Sequence, residues 1–352
     1  MEALFSALHM TLDIGTISAV VIGSLVGLFF GSVPGLTYSV AMLLVLPATF
    51  SMDSTTGIAI LVATYVGGMT GGSVSAILIG IPGTPSAAAT VIDGYKLAQK
   101  GQACLTLGMA VVVSVFGGMF SLMVMMIFVD LVAKLAIQFG PAEIFALVLF
   151  GFSTICGLAG KSLTRGLIAG VLGLLLMVVG MDPIEGIPRM TFGNANLMQG
   201  ISLLVAMIGM FAVPQIIESF LLHGQGCPMK TGDYCVRIEM PKIKQLLSKF
   251  WLATRCAAIG TGIGAIPGAG GPIAAFLAYA HARKSSKNPE SFGEGNIDGV
   301  IAPESANNAV TGGAMVPLLS LGIPGDPATA ILLAGMMIHG LTPGPMLFIE
   351  NL

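Results

Sequence analysis

Polar side chains that could bind an anion gather around two proline-glycine interruptions in otherwise apolar sequence. The first is residues 82–85, Pro-Gly-Thr-Pro, followed by Ser86; the second is residues 324–327, Pro-Gly-Asp-Pro, preceded by Asn307 and Asn308. A helix loses hydrogen bonds at such a segment, and in a bilayer the freed backbone groups must face protein, water or a ligand. A half-helix beginning near Ser86 would direct free N–H groups and its positive dipole end at an anion. We therefore predict a site for an anionic substrate.

The predicted substrate site combines residues of both interruptions with one hydroxyl that follows an earlier Pro-Gly pair. Its members are Thr37, Gly83, Thr84, Pro85, Ser86, Asn307, Asn308, Gly325 and Asp326. The apolar stretches hold no basic cluster, so a carboxylate suits the site better than a phosphate, which usually needs arginine. Asp326 has two interpretations, either capping the helix that follows it or coordinating Na⁺ together with loop carbonyls. On the second interpretation, a sodium ion is predicted near Gly83, Asn308 and Asp326.

Three polar residues, two of which belong to the predicted site, each have two possible interpretations. Asn307 and Asn308 either face a cavity, because unpaired amides are costly in lipid, or lie in a loop at the membrane surface. Tyr65 could contact a ligand, although a packing or interfacial role is the favoured interpretation.

The sequence contains no motif for catalysis, nucleotides or metal clusters. It has no P-loop and no recognisable pair of nucleophile and base. The four histidines lack partners at i+4, and the five cysteines lack zinc spacing. The net charge of −2 gives no reason to expect nucleic acid as a partner. We predict neither an enzyme nor a cofactor, apart from a coupling ion.

Composition identifies a membrane protein. Of 352 residues, 55% are hydrophobic and 9% are charged, against about 25% charged in an average soluble protein, and the mean hydropathy is +0.93. Apolar stretches near the 20 residues of a membrane-spanning helix recur along the chain. The fold class is therefore predicted as an all-α polytopic membrane protein that lies in a lipid bilayer.

The apolar segments form an internal repeat. Interrupted segments cover 16–47 and 57–92, plain spans cover 103–128, 142–160, 166–181 and 197–222, and interrupted segments return at 251–280 and 303–340. We predict a first repeat over 1–222, a cytoplasmic loop over 223–250 and an incomplete second repeat over 251–352. Transporters often contain inverted repeats with broken helices at matching places.

The distribution of basic residues favours opposite orientations for the two repeats. Placing the basic loops 93–102, 223–248 and 281–298 inside leaves loop 48–56, which has no basic residue, outside. Arg189 and Lys134 are exceptions to this assignment. Segments 16–47 and 251–280 would then each begin and end on one side, as hairpins of two half-helices. The alternative is a single kinked span in each case.

Four long stretches resemble a known family. Residues 27–50 (GLFFGSVPGLTYSVAMLLVLPATF), 71–103, 164–193 and 307–333 (NNAVTGGAMVPLLSLGIPGDPATAILL) look like the large membrane subunit of tripartite tricarboxylate transporters, the TctA family. The resemblance extends over essentially the whole chain. It places the family's substrate region on residues 83–86, Asn307, Asn308, Gly325 and Asp326.

The resemblance implies a secondary carrier in a bacterial inner membrane. The expected function is symport of citrate-like carboxylates driven by a cation gradient, with Na⁺ as the coupling ion. The expected partners are a small membrane subunit and a periplasmic solute-binding protein. Family members continue beyond the second interruption, so the resemblance also implies a chain shortened at its C-terminus. The alternatives are an intramembrane enzyme, a channel or an inactive fragment of the carrier.

Overall fold

The fold consists almost entirely of helices in the part of the chain that the structure describes. A computed structural model describes residues 12–136, 163–182, 187–201 and 239–344, and the single residues 142, 145, 146, 149, 217 and 347. The helices are α1 (Ile14–Ser32), α2 (Tyr38–Val45), α3 (Ser54–Leu78), α4 (Ala88–Gln99), α5 (Ala103–Ala136), α6 (Leu163–Val178), α7 (Ile243–Gly264), α8 (Gly270–Ser285), α9 (Asp298–Leu321) and α10 (Pro327–Ile338). Short 3-10 helices cover Leu46–Ser51, Pro85–Ala87, Ala195–Gln199 and Pro289–Ser291.

The chain divides into two compact units, one of residues 138–214 and one of all the others. In the smaller unit, α6 leads into the antiparallel strands β1 (Gly180–Met181) and β2 (Pro188–Arg189). Arg189 forms an ion pair with Asp182 at 2.5 Å. Arg189, one of the two exceptions to the charge pattern, is therefore paired with an acidic residue. The predicted span 142–160, and the predicted span 197–222 beyond residue 201, lie outside the continuously described residues.

Helices α1 and α3 run parallel in close backbone contact. Successive glycines of α1 meet successive turns of α3: Gly23 lies against Ile60, Gly27 against Thr64 and Gly31 against Gly68. The N-terminal ends also meet, since the hydroxyls of Thr16 and Thr56 are 2.9 Å apart. The chain between the helices therefore returns to the end where α1 began. This is the predicted hairpin, but its arms are unequal, because α1 has 19 residues and α2 only 8.

Helices α7 and α9 repeat this arrangement. Aligning the motif at Pro34-Gly35 with that at Pro267-Gly268, and the motif at 82–83 with that at 324–325, makes the contacts correspond. Gly260 meets the carbonyl of Ala306 as Gly27 meets that of Thr64, and Gly264 meets Val310 as Gly31 meets Gly68. Gly313 likewise meets Thr261 as Gly71 meets Leu28. The sequence repeat is therefore a repeat of packing contacts.

The two repeats run in opposite directions where they meet. Thr70 of α3 donates a hydrogen bond to Asn308 of α9 at 3.0 Å, whereas later in α3 Ile77 shares a core cluster with the earlier α9 residue Val300. The order reverses along the pair, so α3 and α9 are antiparallel. Helix α10 likewise runs antiparallel to α3, with Gly335 against Leu61 and His339 against Gly57. The predicted inversion is confirmed by these contacts.

Several boundaries differ from the sequence expectation. Asp93 lies inside α4, which continues to Gln99, so the predicted loop 93–102 shrinks to residues 100–102. Helix α8 extends to Ser285 and takes the first part of the predicted loop 281–298. Helix α7 begins at Ile243 rather than Trp251, and α5 continues to Ala136 rather than residue 128. In each case polar residues continue the helix past the expected boundary. Asp93 is buried in α4, whereas the charged side chains of Lys134, Lys244 and Arg283 are exposed and reach water from the first or last turns of their helices.

An aspartate begins α3 and a glycine ends α9. Asp53 accepts a hydrogen bond from the Thr56 N–H at 3.0 Å and so caps α3. Gly322, with a φ of 71°, closes α9 in the left-handed conformation that glycine adopts without steric cost.

Three of the described helices could cross a membrane by length and composition. They are α1, α3 and the segment of α5 from Ala103 to Val129. Helix α9 has 24 residues but a mixed composition, with buried amide and carboxyl side chains at its centre. The three helices that could span a membrane therefore do not include α9, the helix that carries buried amide and carboxyl groups.

The glycine contacts predict a sharp contrast within α7. A Cβ added at Gly260 would overlap the Ala306 carbonyl, whereas Gly262 is exposed and has open space around it. We expect Gly260→Ala to lower the free energy of unfolding by about 1–3 kcal/mol through overpacking. The matched control Gly262→Ala should be neutral or stabilising by up to about 1 kcal/mol, the helix-propensity gain. Denaturant unfolding in mixed micelles measures both, and equal stabilities would contradict the packing described.

Candidate substrate site

The first interruption is held against α3 and α1. The Gly83 N–H donates to the carbonyl of Gly72 at 3.3 Å, and Gly83 lies against the carbonyl of Gly31. The side chain of Thr84 covers Gly72, and its hydroxyl is 3.1 Å from that of Ser86. Both hydroxyl residues are buried, whereas Pro85 is exposed. The interruption therefore turns two hydroxyls inward at the start of the helical segment that leads into α4.

The second interruption uses a carboxylate in the corresponding place. Asp326 Oδ1 accepts a hydrogen bond from the Thr329 N–H at 2.8 Å, which confirms that Asp326 caps α10. Its Oδ2 accepts a hydrogen bond from the buried Tyr65 hydroxyl. Gly325 lies against Gly264 and Ala314, and its carbonyl accepts from the Gly268 N–H at 2.7 Å. Tyr65 is therefore neither interfacial nor only a packing residue, because it binds the second interruption.

Both interruptions meet the same face of α3. Ser86 approaches the Met69 sulfur at 4.0 Å, and the Asn307 amide donates to the Met69 carbonyl at 3.2 Å. Tyr65, which binds Asp326, lies one helical turn before Met69. The interruptions therefore reach α3 at neighbouring turns, so most of the predicted polar residues gather in one region.

Asn307 has an oxygen without a partner among the described residues. The residue is fully buried, and a Cβ added at Gly271 would lie 2.9 Å from both Asn307 Oδ1 and Ser86 Cβ. The first turn of α8 therefore covers this oxygen closely, and only a residue without a side chain fits there. A buried acceptor in this position can bind a donor group or a water molecule.

Asn308 and Thr37 have different surroundings. Asn308 Oδ1 accepts from Thr70, so this amide links α9 to α3 within a buried interface. Both asparagines lie in the interior of α9, which rules out the surface-loop interpretation. Thr37 is half-buried and precedes Tyr38, whose ring lies 5.5 Å from that of Tyr65. Thr37 is therefore adjacent in sequence to a residue that packs on Tyr65.

Comparison with known proteins identifies the family. Residues 17–352 match the Tripartite tricarboxylate transporter TctA family. The chain belongs to this family. It is 35% identical over 335 residues to an uncharacterized 52.8 kDa protein of the TAR-I ttuC' 3' region of Agrobacterium vitis, covering 92% of this chain and 64% of that relative. A second Agrobacterium vitis protein, uncharacterized and from the TAR-II ttuC' 3' region, is 45% identical over 86 residues, covering 24% of this chain and 36% of its own. No solved structure matches the chain.

This TctA family member has a buried carboxyl that sequence reasoning did not include in the site. Glu304 lies on α9, one turn before Asn307 and Asn308, and is fully buried. Thr90 of α4 donates a hydrogen bond to Glu304 Oε1 at 2.5 Å, and Ser114 of α5 donates to Oε2 at 3.3 Å. The signal available in the sequence is a carboxyl three residues before an Asn-Asn pair, close to the start of the predicted segment 303–340.

Asp93 is a second buried carboxyl outside the predicted site. Its Oδ1 accepts hydrogen bonds from the N–H groups of Gly293, Gly295 and Asn296 at 2.8–2.9 Å. Its Oδ2 accepts from the Tyr279 hydroxyl at 2.8 Å. Asp93 therefore fastens the connection between α8 and α9 to α4, and this set of acceptor contacts explains how a carboxylate can be buried there.

The predicted sodium position remains a prediction. Asn308 Oδ1 accepts a hydrogen bond from Thr70. The two carboxylate oxygens of Asp326 accept hydrogen bonds from Tyr65 and Thr329. Within the described ranges, no group of three or more histidine, cysteine or acidic residues is placed to hold a metal ion. A sodium site in this region would therefore depend on carbonyl, hydroxyl and amide oxygens.

The two roles of Asp326 predict that its loss costs more than the loss of a cap. Asp53→Ala removes one N-cap from α3 and should cost about 1 kcal/mol. Asp326→Ala removes a cap and also leaves the buried Tyr65 hydroxyl unpaired, which should add about 1–3 kcal/mol to the loss.

A double variant separates these two contributions. Tyr65→Phe should recover part of the lost stability in the Asp326→Ala background, because it removes the unpaired hydroxyl. The free energy of unfolding of the three variants in mixed micelles checks the prediction. Equal losses for Asp53→Ala and Asp326→Ala would show that the Tyr65 contact contributes nothing.

Proposed function

We propose that this chain is the membrane carrier subunit of a secondary transporter that imports tricarboxylates or related carboxylates. The transporter depends on a solute-binding protein and is driven by a cation gradient, with Na⁺ as the coupling ion. Membership of the TctA family supports a tricarboxylate transporter subunit. The chain spans 64% of the length of the longer relative it matches, so the activity of the whole transporter belongs to this proposal.

The observation that carries the proposal is the meeting of two oppositely oriented interruptions on one face of α3. Thr84 and Ser86 reach this face from the first repeat, and Asn307 and Asp326 reach it from the second. Interrupted helices from inverted repeats form substrate sites in many secondary transporters. A site at such a junction can be exposed to either side when one repeat moves relative to the other.

The chemistry of the region suits a carboxylate. Neither residues 1–95 nor residues 288–352, which contain the two interruptions, include any lysine or arginine. A bound carboxylate would be held by the N-terminal end of the segment beginning at Pro85, by the hydroxyls of Thr84 and Ser86, and by an N–H of the Asn307 amide, because a carboxylate accepts hydrogen bonds and cannot bind the amide oxygen. The buried position of these groups strengthens each hydrogen bond relative to water.

The family name supports the proposed partners, and the apolar helices support the proposed membrane location. The word tripartite supports two further components, which we propose to be a small membrane subunit and a periplasmic solute-binding protein. The apolar helices support a multi-pass membrane protein, and we propose the bacterial inner membrane as its location. The binding protein would deliver the carboxylate to the outer side.

Reconstituted uptake tests the proposed function. The carrier, as its gene encodes it, is placed in proteoliposomes with the small membrane subunit, and a labelled tricarboxylate is added with the binding protein outside. Uptake should require the binding protein and should fall to background when the Na⁺ gradient is collapsed with an ionophore. Uptake that persists without the gradient would remove cation coupling, and substrate conductance without the binding protein would indicate a channel instead.

Substitutions in the region should weaken transport without preventing membrane insertion. Loss of one hydrogen bond to a charged ligand costs about 1.5–3 kcal/mol, which corresponds to about a ten- to hundredfold rise in the apparent KM. We expect a rise of this size for Thr84→Ala, Ser86→Ala and Asn307→Ala. Thr254→Ala is the matched control, because Thr254 lies outside the proposed site and its hydroxyl donates within its own helix, to the Phe250 carbonyl at 2.9 Å. Normal uptake by all three site variants, at equal membrane levels, would contradict the site.

A further inference from the structure

An apolar groove of about 590 Å³ runs between α1 and α3. Its walls include Val20 and Ser24 of α1 and Ala59, Val62, Ala63 and Val66 of α3. Most of these α3 side chains are only partly buried by the residues that the structure describes. The groove is a face of the first repeat on which the described structure places no helix.

The internal repeat shows what occupies the corresponding face of the second repeat. With residues 82–83 aligned on 324–325, the α3 positions 59, 62, 63 and 66 correspond to the α9 positions 301, 304, 305 and 308. All four α9 residues are buried, with exposed fractions of 0–1%. With Pro34-Gly35 aligned on Pro267-Gly268, Val20 corresponds to Ala253, which shares a buried cluster with Ile301. The two faces are therefore equivalent, but the described residues cover the one on α9 and leave the one on α3 open.

Helix α5 covers the face in the second repeat. Gly117 of α5 lies against the Ser305 carbonyl, Ser121 lies against Gly312, and Ser114 bonds Glu304. Met109 and Val113 of α5 belong to the cluster that contains Ile301 and Ala253. Helix α5 follows α4 after a connection of residues 100–102. The helix that covers the second repeat is therefore the helix that follows α4 in the first repeat.

The end of α10 lies where an equivalent helix would begin. Helix α10 corresponds to α4, and His339 just after it lies against Gly57, at the end of α3 from which the groove starts. Leu347 is helical and buried, and its N–H donates to the Gly344 carbonyl at 3.1 Å. With residues 82–83 aligned on 324–325, Leu347 corresponds to Leu105 in the first turn of α5, so the repeat assigns the chain from residue 345 onward to the counterpart of α5.

We infer that the groove between α1 and α3 is the docking site of a membrane helix of this same chain, the helix to which Leu347 belongs. The groove suits a helix with small residues on its contact face, because Ser24, Ala59 and Ala63 allow close backbone approach. Each repeat would then be covered by a helix of the other repeat: α5 of the first repeat packs on the second, and the helix that contains Leu347 packs on the first. This inference concerns assembly and does not rest on the proposed transport function.

Site-specific photo-crosslinking tests the inference. A diazirine side chain replaces Val62, and in a second variant Val66, in the protein as its gene encodes it, including any residues that follow Leu352. After illumination in native membranes, the adducts are identified by mass spectrometry. We expect the main adduct to join the groove to a peptide C-terminal to Gly344 of the same chain. Isotope-labelled and unlabelled chains expressed together distinguish an adduct within one chain from an adduct between two copies.

Two control positions calibrate the measurement. The same probe at Ser305 should react with the α5 peptide that contains Gly117, and the probe at Val21, whose side chain is 52% exposed on α1, should react with lipid. Ala63→Trp fills the groove and should abolish the intrachain adduct from position 66. Lipid adducts alone from both groove positions would overturn the inference, and so would adducts to a second copy or to another polypeptide.

Discussion

Close backbone contact between parallel helices is the constraint on which this fold depends. Gly27 and Gly31 bring α1 against the carbonyls of α3, and Gly260 and Gly264 bring α7 against those of α9. Lipid provides no hydrophobic drive for such pairing, so van der Waals contact through small residues must stabilise it. Because the paired helices are parallel, the connecting chain must return between them, and this return creates each hairpin. The positions of both interruptions follow from these pairs, since Gly83 and Gly325 lie against the carbonyls of Gly31 and Gly264.

The inverted repeat, the interruptions and the hairpins could be predicted because their signals are local. Proline and glycine interrupt a helix wherever they occur in its interior, and basic residues report the side of a short loop. The unequal lengths of the hairpin arms could not be predicted, because the apolar pattern of segment 16–47 does not show that one helix has 19 residues and the other 8. Helix ends were misplaced where polar residues such as Asp93 and Lys244 are helical.

The contacts between repeats could not be predicted from the sequence. Tyr65 and Asp326 are far apart along the chain, and nothing local to either residue indicates their hydrogen bond. The partners of Glu304 are one threonine on α4 and one serine on α5, which are common residues without any distinguishing pattern. Pairings of this kind depend on how antiparallel helices align, and one sequence carries no direct record of that alignment. The polar residues of the interruptions were found, but the α3 surface that receives them was not.

The two repeats share their packing but differ in their polar groups. Val62 and Glu304 occupy equivalent places, as do Tyr65 and Asn307, and Thr84 and Asp326. A valine fills the position in the first repeat, so packing alone does not require a carboxyl at Glu304. Burying a carboxyl is costly unless its oxygens are hydrogen-bonded, and here Thr90 and Ser114 supply one hydroxyl to each oxygen. The glycines therefore maintain a shared scaffold, while the substitutions between repeats concentrate carboxyl and amide groups on α9, next to the face where both interruptions meet.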